Sequence, residues 1–250
     1  MPTPEPGPAA VQRGSGEFRT THWSVVLRAG QSDSGLARAA LEDLCQGYWY
    51  PIYSFVRRRG FSPEDAQDLT QEFFSRLLAN GGLATVHPAK GRFRSFLLAS
   101  LKNLLANEWN RARTQKRGGG VPLLSLDAKP AEERFQLEPQ ENATPETIFE
   151  RRWAETLLER VLLRVRAEWN QRDKQQRFDT LKVFLSDRRG EVPFAEVAAK
   201  LDTTVPALRS VVHKLRELYR RVFLDEIAQT VDDPGEVEDE VRRLFAALGD

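Results

Sequence analysis

Apolar residues recur at intervals of three and four along almost the whole chain, and the strict alternation that marks a half-buried strand appears nowhere at length. The pattern predicts an all-α protein. The front half reads as five helices, around THWSVVLRAG (21–30), SGLARAALEDLCQGY (34–48), YPIYSFVRRRG (50–60), FSPEDAQDLTQEFFSRLLA (61–79) and RFRSFLLASLKNLLANEWNRARTQKR (92–117). Over residues 117–146 glycines, prolines and acids replace the helical pattern, which reads as a flexible linker. Beyond it, TPETIFERRWAETLLERVLLRVRAEW (144–169) opens on a Thr144 cap with Pro145 in the first turn. A shorter helix follows near RFDTLKVFLSD, then two more within 192–227. The expected organisation is two helical domains, 21–117 and 147–226, joined by the linker 118–146, with a disordered head (1–20) and an acidic extension (227–250) carrying a short amphipathic helix.

The fourth helix has well-marked ends. Ser62 with Asp65 forms a capping box, Pro63 occupies the first turn and Gly81-Gly82 stops it. On a helical wheel Ala66, Leu69, Thr70, Phe73, Phe74, Leu77 and Leu78 share one broad side, while Asp65, Asp68 and Glu72 lie opposite. A polar outer face with acids near the positive end of the macrodipole is the plain account. The other is a contiguous acidic stripe suited to a basic partner surface.

Residues 90–117 hold eight bases against Glu108 alone, the densest basic patch of the chain. Phe93, Leu97, Leu101, Leu104 and Leu105 fall inward, and Arg92, Lys102, Asn103, Asn110 and Arg113 outward beside the small Ala99 and Ala106. Cations hold phosphates, asparagines read base edges and small residues admit a strand closely. Trp109 borders this face, placed either to complete the core or to stack an unpaired base.

In the back half Phe194, Val197, Ala198 and Leu201 form one apolar stripe. After a break at Asp202-Thr203, Thr204 caps a second helix with Leu208, Val212, Leu215, Tyr219 and Val222 inward. This is the helix-turn-helix pattern, which an ordinary helical hairpin shares. Its outer face carries Arg209, Ser210, His213 and Lys214 early, where a recognition helix meets base edges, and Arg216, Arg220 and Arg221 later, where phosphates lie.

Charge and composition narrow the chemistry. Lys plus Arg number 37 against 36 acids, so attraction to nucleic acid must come from local patches. The single Cys45 forms no internal disulfide, the histidines His22, His87 and His213 stand far apart, and no phosphate-binding or nucleophile motif occurs. The reading is a non-enzymatic, cytoplasmic protein with no cofactor, no metal and no membrane segment. Thr70 invites a phosphorylation story, but its place on the buried side of the wheel argues against one.

An acidic-faced helix, a basic helix and a helix-turn-helix in this order resemble the extracytoplasmic-function type of bacterial RNA polymerase sigma factor, over roughly residues 21–226. DAQDLTQEFF is similar to that family's core-binding motif, which implies contact with the clamp helices of the polymerase's largest subunit through Asp65, Asp68, Gln71 and Glu72. FRSFLLASLKNLLANEWNR resembles its promoter-melting helix, which implies minus-ten contacts from Asn103, Asn107, Asn110 and Arg111, added to Arg92, Lys102, Trp109 and Arg113. TTVPALRSVVHKLR resembles its recognition helix, which implies minus-thirty-five contacts from Arg209, Ser210, His213 and Lys214, flanked by Thr204 and Arg216. The resemblance implies core polymerase and promoter DNA as partners and, as for many members, an anti-sigma factor. Gln67, Val211 and Asp202 depart from the family pattern, the last standing where a turn glycine is usual. A free-standing helix-turn-helix regulator, its front half serving oligomerisation or a ligand, is the alternative. A scaffold that binds no DNA sits poorly with the basic patch.

Overall fold

A computed structural model describes residues 35–79, 92–112, 128–138, 143–172, 178–186, 191–231 and 233–249. Among these there are nine α-helices and no strand: α1 (Gly35–Arg58), α2 (Pro63–Ala79), α3 (Phe93–Ala112), α4 (Ala128–Gln136), α5 (Pro145–Arg172), α6 (Phe178–Leu181), α7 (Phe194–Lys200), α8 (Val205–Ala228) and α9 (Val237–Leu248). The all-α expectation holds. The expected head and the helix at 21–30 lie outside the described residues.

The two helices read at 34–48 and 50–60 are one helix, α1, which runs through Pro51. Proline there has no N–H for the Gly47 carbonyl one turn back, so that turn lacks a rung. Gly47 also admits a neighbour. A Cβ at this position would stand 2.9 Å from Nη2 of Arg160, so the α5 guanidinium fills the space a side chain would take.

Within the stretch read as linker, residues 128–136 form the helix α4. Ala131 turns into the core, and Phe135 lies beneath the guanidinium groups of Arg57 and Arg58, 4.7 and 5.0 Å from its ring centre. Four residues apart, these two share the face that meets α1. Polar contacts finish the seam. Glu132 takes hydrogen bonds from Arg57 Nε and Nη2 (2.9 and 3.0 Å) and from the Tyr53 hydroxyl. Glu138 accepts from the Tyr50 hydroxyl and from Arg58 (3.0 Å), and lies 2.5 Å from Arg152 Nε.

α5 is the element the whole body is built around. It packs on α1 at one side, where Phe55 and Phe149 meet edge to face, and on α8 and α9 at the other. Phe149, Trp153, Ala154, Leu157, Val161, Val165 and Trp169 run buried along it at spacings of three and four. Among the described residues one continuous apolar core therefore joins the front helices to the back ones.

Candidate functional site

α2 forms as its sequence dictates. The Asp65 amide donates to Ser62 Oγ (3.1 Å), and the Ser62 hydroxyl donates to the Asp65 carboxylate (2.8 Å), which starts the helix. Ala66, Leu69, Thr70, Phe73, Phe74 and Leu77 are buried, as the wheel requires, and Phe74 stacks on Trp49 of α1. The Thr70 hydroxyl is fully buried and donates to the Ala66 carbonyl (2.6 Å). Asp65 and Asp68 project into solvent, and Gln71 and Glu72 are half-buried beside them. The stripe is less free of bases than the sequence suggests. Arg76 bonds Glu72 one turn before it and reaches Glu108 of α3 at 3.3 Å, so Arg76 ties α2 to α3 with Glu72 held beside it.

On α3 the inward set Phe93, Leu97, Leu101, Leu104 and Leu105 is buried. Asn103 and Asn107 are exposed, as are the small Ala99 and Ala106. Trp109, Asn110 and Arg111 belong to the same helix but their side chains lie outside the described residues, as does Arg113 altogether.

The described cations of α3 are engaged by acids from the back half. Arg94 is 5% exposed, bonded by Nε to Glu150 (2.7 Å) and by Nη1 to Glu240, with its guanidinium 4.1 Å from the centre of a Trp153 ring. Burial works against its charge, but the bond to Glu240 and the attraction of both carboxylates raise its pKa above the ordinary arginine value. Arg92 Nε lies 2.8 Å from Glu240 Oε2. Lys102 Nζ lies 2.9 Å from Glu146, and this bond holds the Glu146 carboxyl below its usual range.

These carboxylates carry a signal in the sequence. Glu240 falls three residues after Val237 and four before Leu244, on the apolar stripe of α9, where a charge must meet a partner. Glu226 on α8 has the same character, following Val222 and Phe223 and bonded to Arg164 (3.0 Å). Burial outweighs Arg164 there and pushes the Glu226 carboxyl up.

In the back half a turn at residues 201–203 joins α7 to α8, the pair of helices read from the sequence. Asp202 sits at φ +50°, the left-handed region that favours glycine, and its amide donates to the Ala199 carbonyl to close the turn. Thr204 caps α8 by accepting from the Ala207 amide (3.3 Å). Leu208, Val212, Leu215, Leu218 and Val222 are buried, with Tyr219 half-buried at the edge. Arg209, Ser210, His213 and Lys214 stand exposed on the outer face. Arg209 leans over the Phe194 ring, and His213 faces Glu217 at 3.4 Å. Arg216 differs from its neighbours. Its Nε and Nη2 both bond the Phe184 carbonyl (3.0 and 2.8 Å), fastening α8 to the 3₁₀ turn at Lys182–Leu185. The exposed Arg216, expected to meet a phosphate, thus also ties α8 to the turn before it.

Among the described residues no group of histidines, cysteines and carboxylates is arranged to hold a metal, and no helix is long and apolar enough to cross a membrane. No curated protein and no solved structure matches the chain. Residues 44–115, which span the second half of α1, all of α2 and all of α3, match the family model of Sigma-70 region 2.

Proposed function

We propose that the chain is a sigma factor of the extracytoplasmic-function type, which attaches to core RNA polymerase through α2 and directs it to promoters through α3 and α8. The Sigma-70 region 2 match supports a role in binding RNA polymerase and opening promoter DNA, and it covers both α2 and α3. The observation that carries the reading is the exposure of Asp65 and Asp68 on a helix whose opposite side, from Ala66 to Leu77, is buried. Carboxylates held out by so firm a base present a fixed acidic edge to a basic groove.

On α3, Asn103 and Asn107 are the promoter-reading side chains of this proposal, joined by Trp109, Asn110, Arg111 and Arg113 further along. Asparagine carries both a donor and an acceptor, which suits the edge of an adenine, and the exposed alanines let a strand lie close. On α8, Arg209, Ser210, His213 and Lys214 meet the upstream element, with Thr204 near the phosphates. The protein supplies recognition and strand opening and leaves the chemistry to the polymerase.

One observation favours the alternative of a free-standing regulator. The outer face of α8 is open, whereas Arg92, Arg94 and Lys102 of α3 are occupied by carboxylates. Binding to core polymerase separates the two readings. The variant Asp65→Lys/Asp68→Lys reverses the exposed edge and leaves the Glu72–Arg76–Glu108 bridge intact. Like charges brought together cost several kcal/mol, so its affinity for core polymerase should fall by about a hundredfold or more. Unchanged affinity in a variant of normal helical content, or a wild type that binds DNA and not the polymerase, would hand the function to the regulator.

A further inference from the structure

The acidic extension carries a docked helix, with Glu240 buried although Glu236, Glu238 and Asp239 are exposed. α9 lies against α5 and α8, with Leu244 fully buried and Phe245 packed on Phe223 while 43% exposed. Its other anchor is ionic. Glu240, with no exposed surface, contacts both Arg92 and Arg94, so the last helix of the chain is fastened to the first turn of α3 across 146 residues.

This hold is specific without being strong. Taking two charges out of water costs nearly as much as their attraction returns, so a buried ion pair fixes geometry more than it adds stability. Arg92 meets Glu240 through a single Nε contact, and a phosphate can pair with the guanidinium in the carboxylate's place. Arg94 has Glu150 and Trp153 to keep it in place if Glu240 leaves. On the same helix the exposed Glu236 and Glu238 add negative charge that repels a nucleic-acid backbone from this end of α3, while Asp239 is paired with Arg242 (2.6 Å).

We infer that α9 is an autoinhibitory latch, in which Glu240 occupies Arg92 and excludes DNA phosphate from the start of α3 until the helix is displaced. The inference rests on the reading of α3 as a DNA-binding helix. It assigns to the last helix a function separate from promoter recognition: α9 stands in for the phosphate in the free protein. Release frees one cation and removes the acidic cover together, so the two effects on DNA affinity have the same sign.

The test uses the full chain, the Glu240→Gln variant and a chain ending at residue 232, each also with Arg92→Ala. Binding is read by fluorescence anisotropy on a labelled single-stranded AT-rich oligonucleotide over a range of salt, with helical content checked by circular dichroism. Glu240→Gln and the shortened chain should each bind roughly threefold to tenfold more tightly at low salt. Their salt dependence should steepen by about 0.7, the single-strand value for one more neutralised phosphate. Arg92→Ala should abolish the gain. A folded variant with no gain overturns the latch, and so does a gain that Arg92→Ala leaves in place, because that would be the loss of negative charge alone. No binding by any form would remove the DNA role of α3 and the latch with it. Attachment to core polymerase, measured separately, judges the α2 reading without bearing on this one.

Discussion

Glu138 lies just after α4, in the span read as linker, and the structure surrounds it with partners. Its carboxylate is 6% exposed and is the meeting point of Tyr50, Arg58 and Arg152, whose guanidinium groups are themselves 17% and 7% exposed. In Glu138→Ala two buried or half-buried cations and a tyrosine hydroxyl lose this acceptor together. Removing one partner from a buried charged pair typically costs about 3–5 kcal/mol. Arg152 keeps Glu155 at 2.6 Å, so the lower end, about 3 kcal/mol, applies. For a chain of this size each kcal/mol moves the thermal midpoint by about 2–4 °C, which gives a fall of roughly 6–12 °C. Glu133→Ala, an exposed acid on the adjoining helix α4, is the control and should shift the midpoint by less than about 2 °C. Thermal unfolding followed by far-ultraviolet circular dichroism at neutral pH reads both. If Glu138→Ala melts within about 2 °C of the wild type, the packing of this segment on α1 contributes nothing and the reasoning is wrong.

Asp202→Gly removes a left-handed residue that bears a Cβ, and should stabilise the chain by about 0.5–1 kcal/mol, seen as a higher urea midpoint at unchanged slope. Acid titration tests the ion pairs. Burial favours the neutral form of Glu132 and of Glu168, but the bonds from Arg57 and Tyr53 to the first, and from Arg221 to the second, outweigh it and set both below the ordinary glutamate value, where Lys102 also sets Glu146. Their contribution is complete above that value and is lost as pH falls through the lowered folded values. Glu226, raised by burial, acts in the opposite sense, its cost easing as pH falls through its raised value toward 4.5. Urea midpoints between neutral pH and acid should therefore decline mainly below the ordinary carboxylate value, and Glu132→Gln should flatten that decline.

What could be read without coordinates was whatever a local rule decides. Ser62, Thr144 and Thr204 cap their helices because each hydroxyl meets an amide three residues on, and the inward faces of α2, α3 and α8 follow from periodicity alone. The strained Asp202 was legible because an L residue stood in a glycine's place. What escaped depended on partners distant in sequence. Pro51 signals a break, yet α1 continues through it with Arg160 seated on Gly47. Charge counting over 90–117 finds an open basic patch, whereas Arg92, Arg94 and Lys102 already have carboxylates from residues 146, 150 and 240. The acidic stripe was half legible. Asp65 and Asp68 are exposed as the wheel places them, while Glu72 is engaged through Arg76.

The long helix α5 also bears on modularity. The stretch that matches Sigma-70 region 2 ends at residue 115, before α5 begins, yet Phe55 meets Phe149, Gly47 is backed by Arg160 and Arg94 rests on Trp153. A fragment cut after the matched residues would turn those surfaces to water. In this chain the recognisable unit of descent is smaller than the unit of folding, and grafting the first without α5 would transplant a motif and leave its support behind.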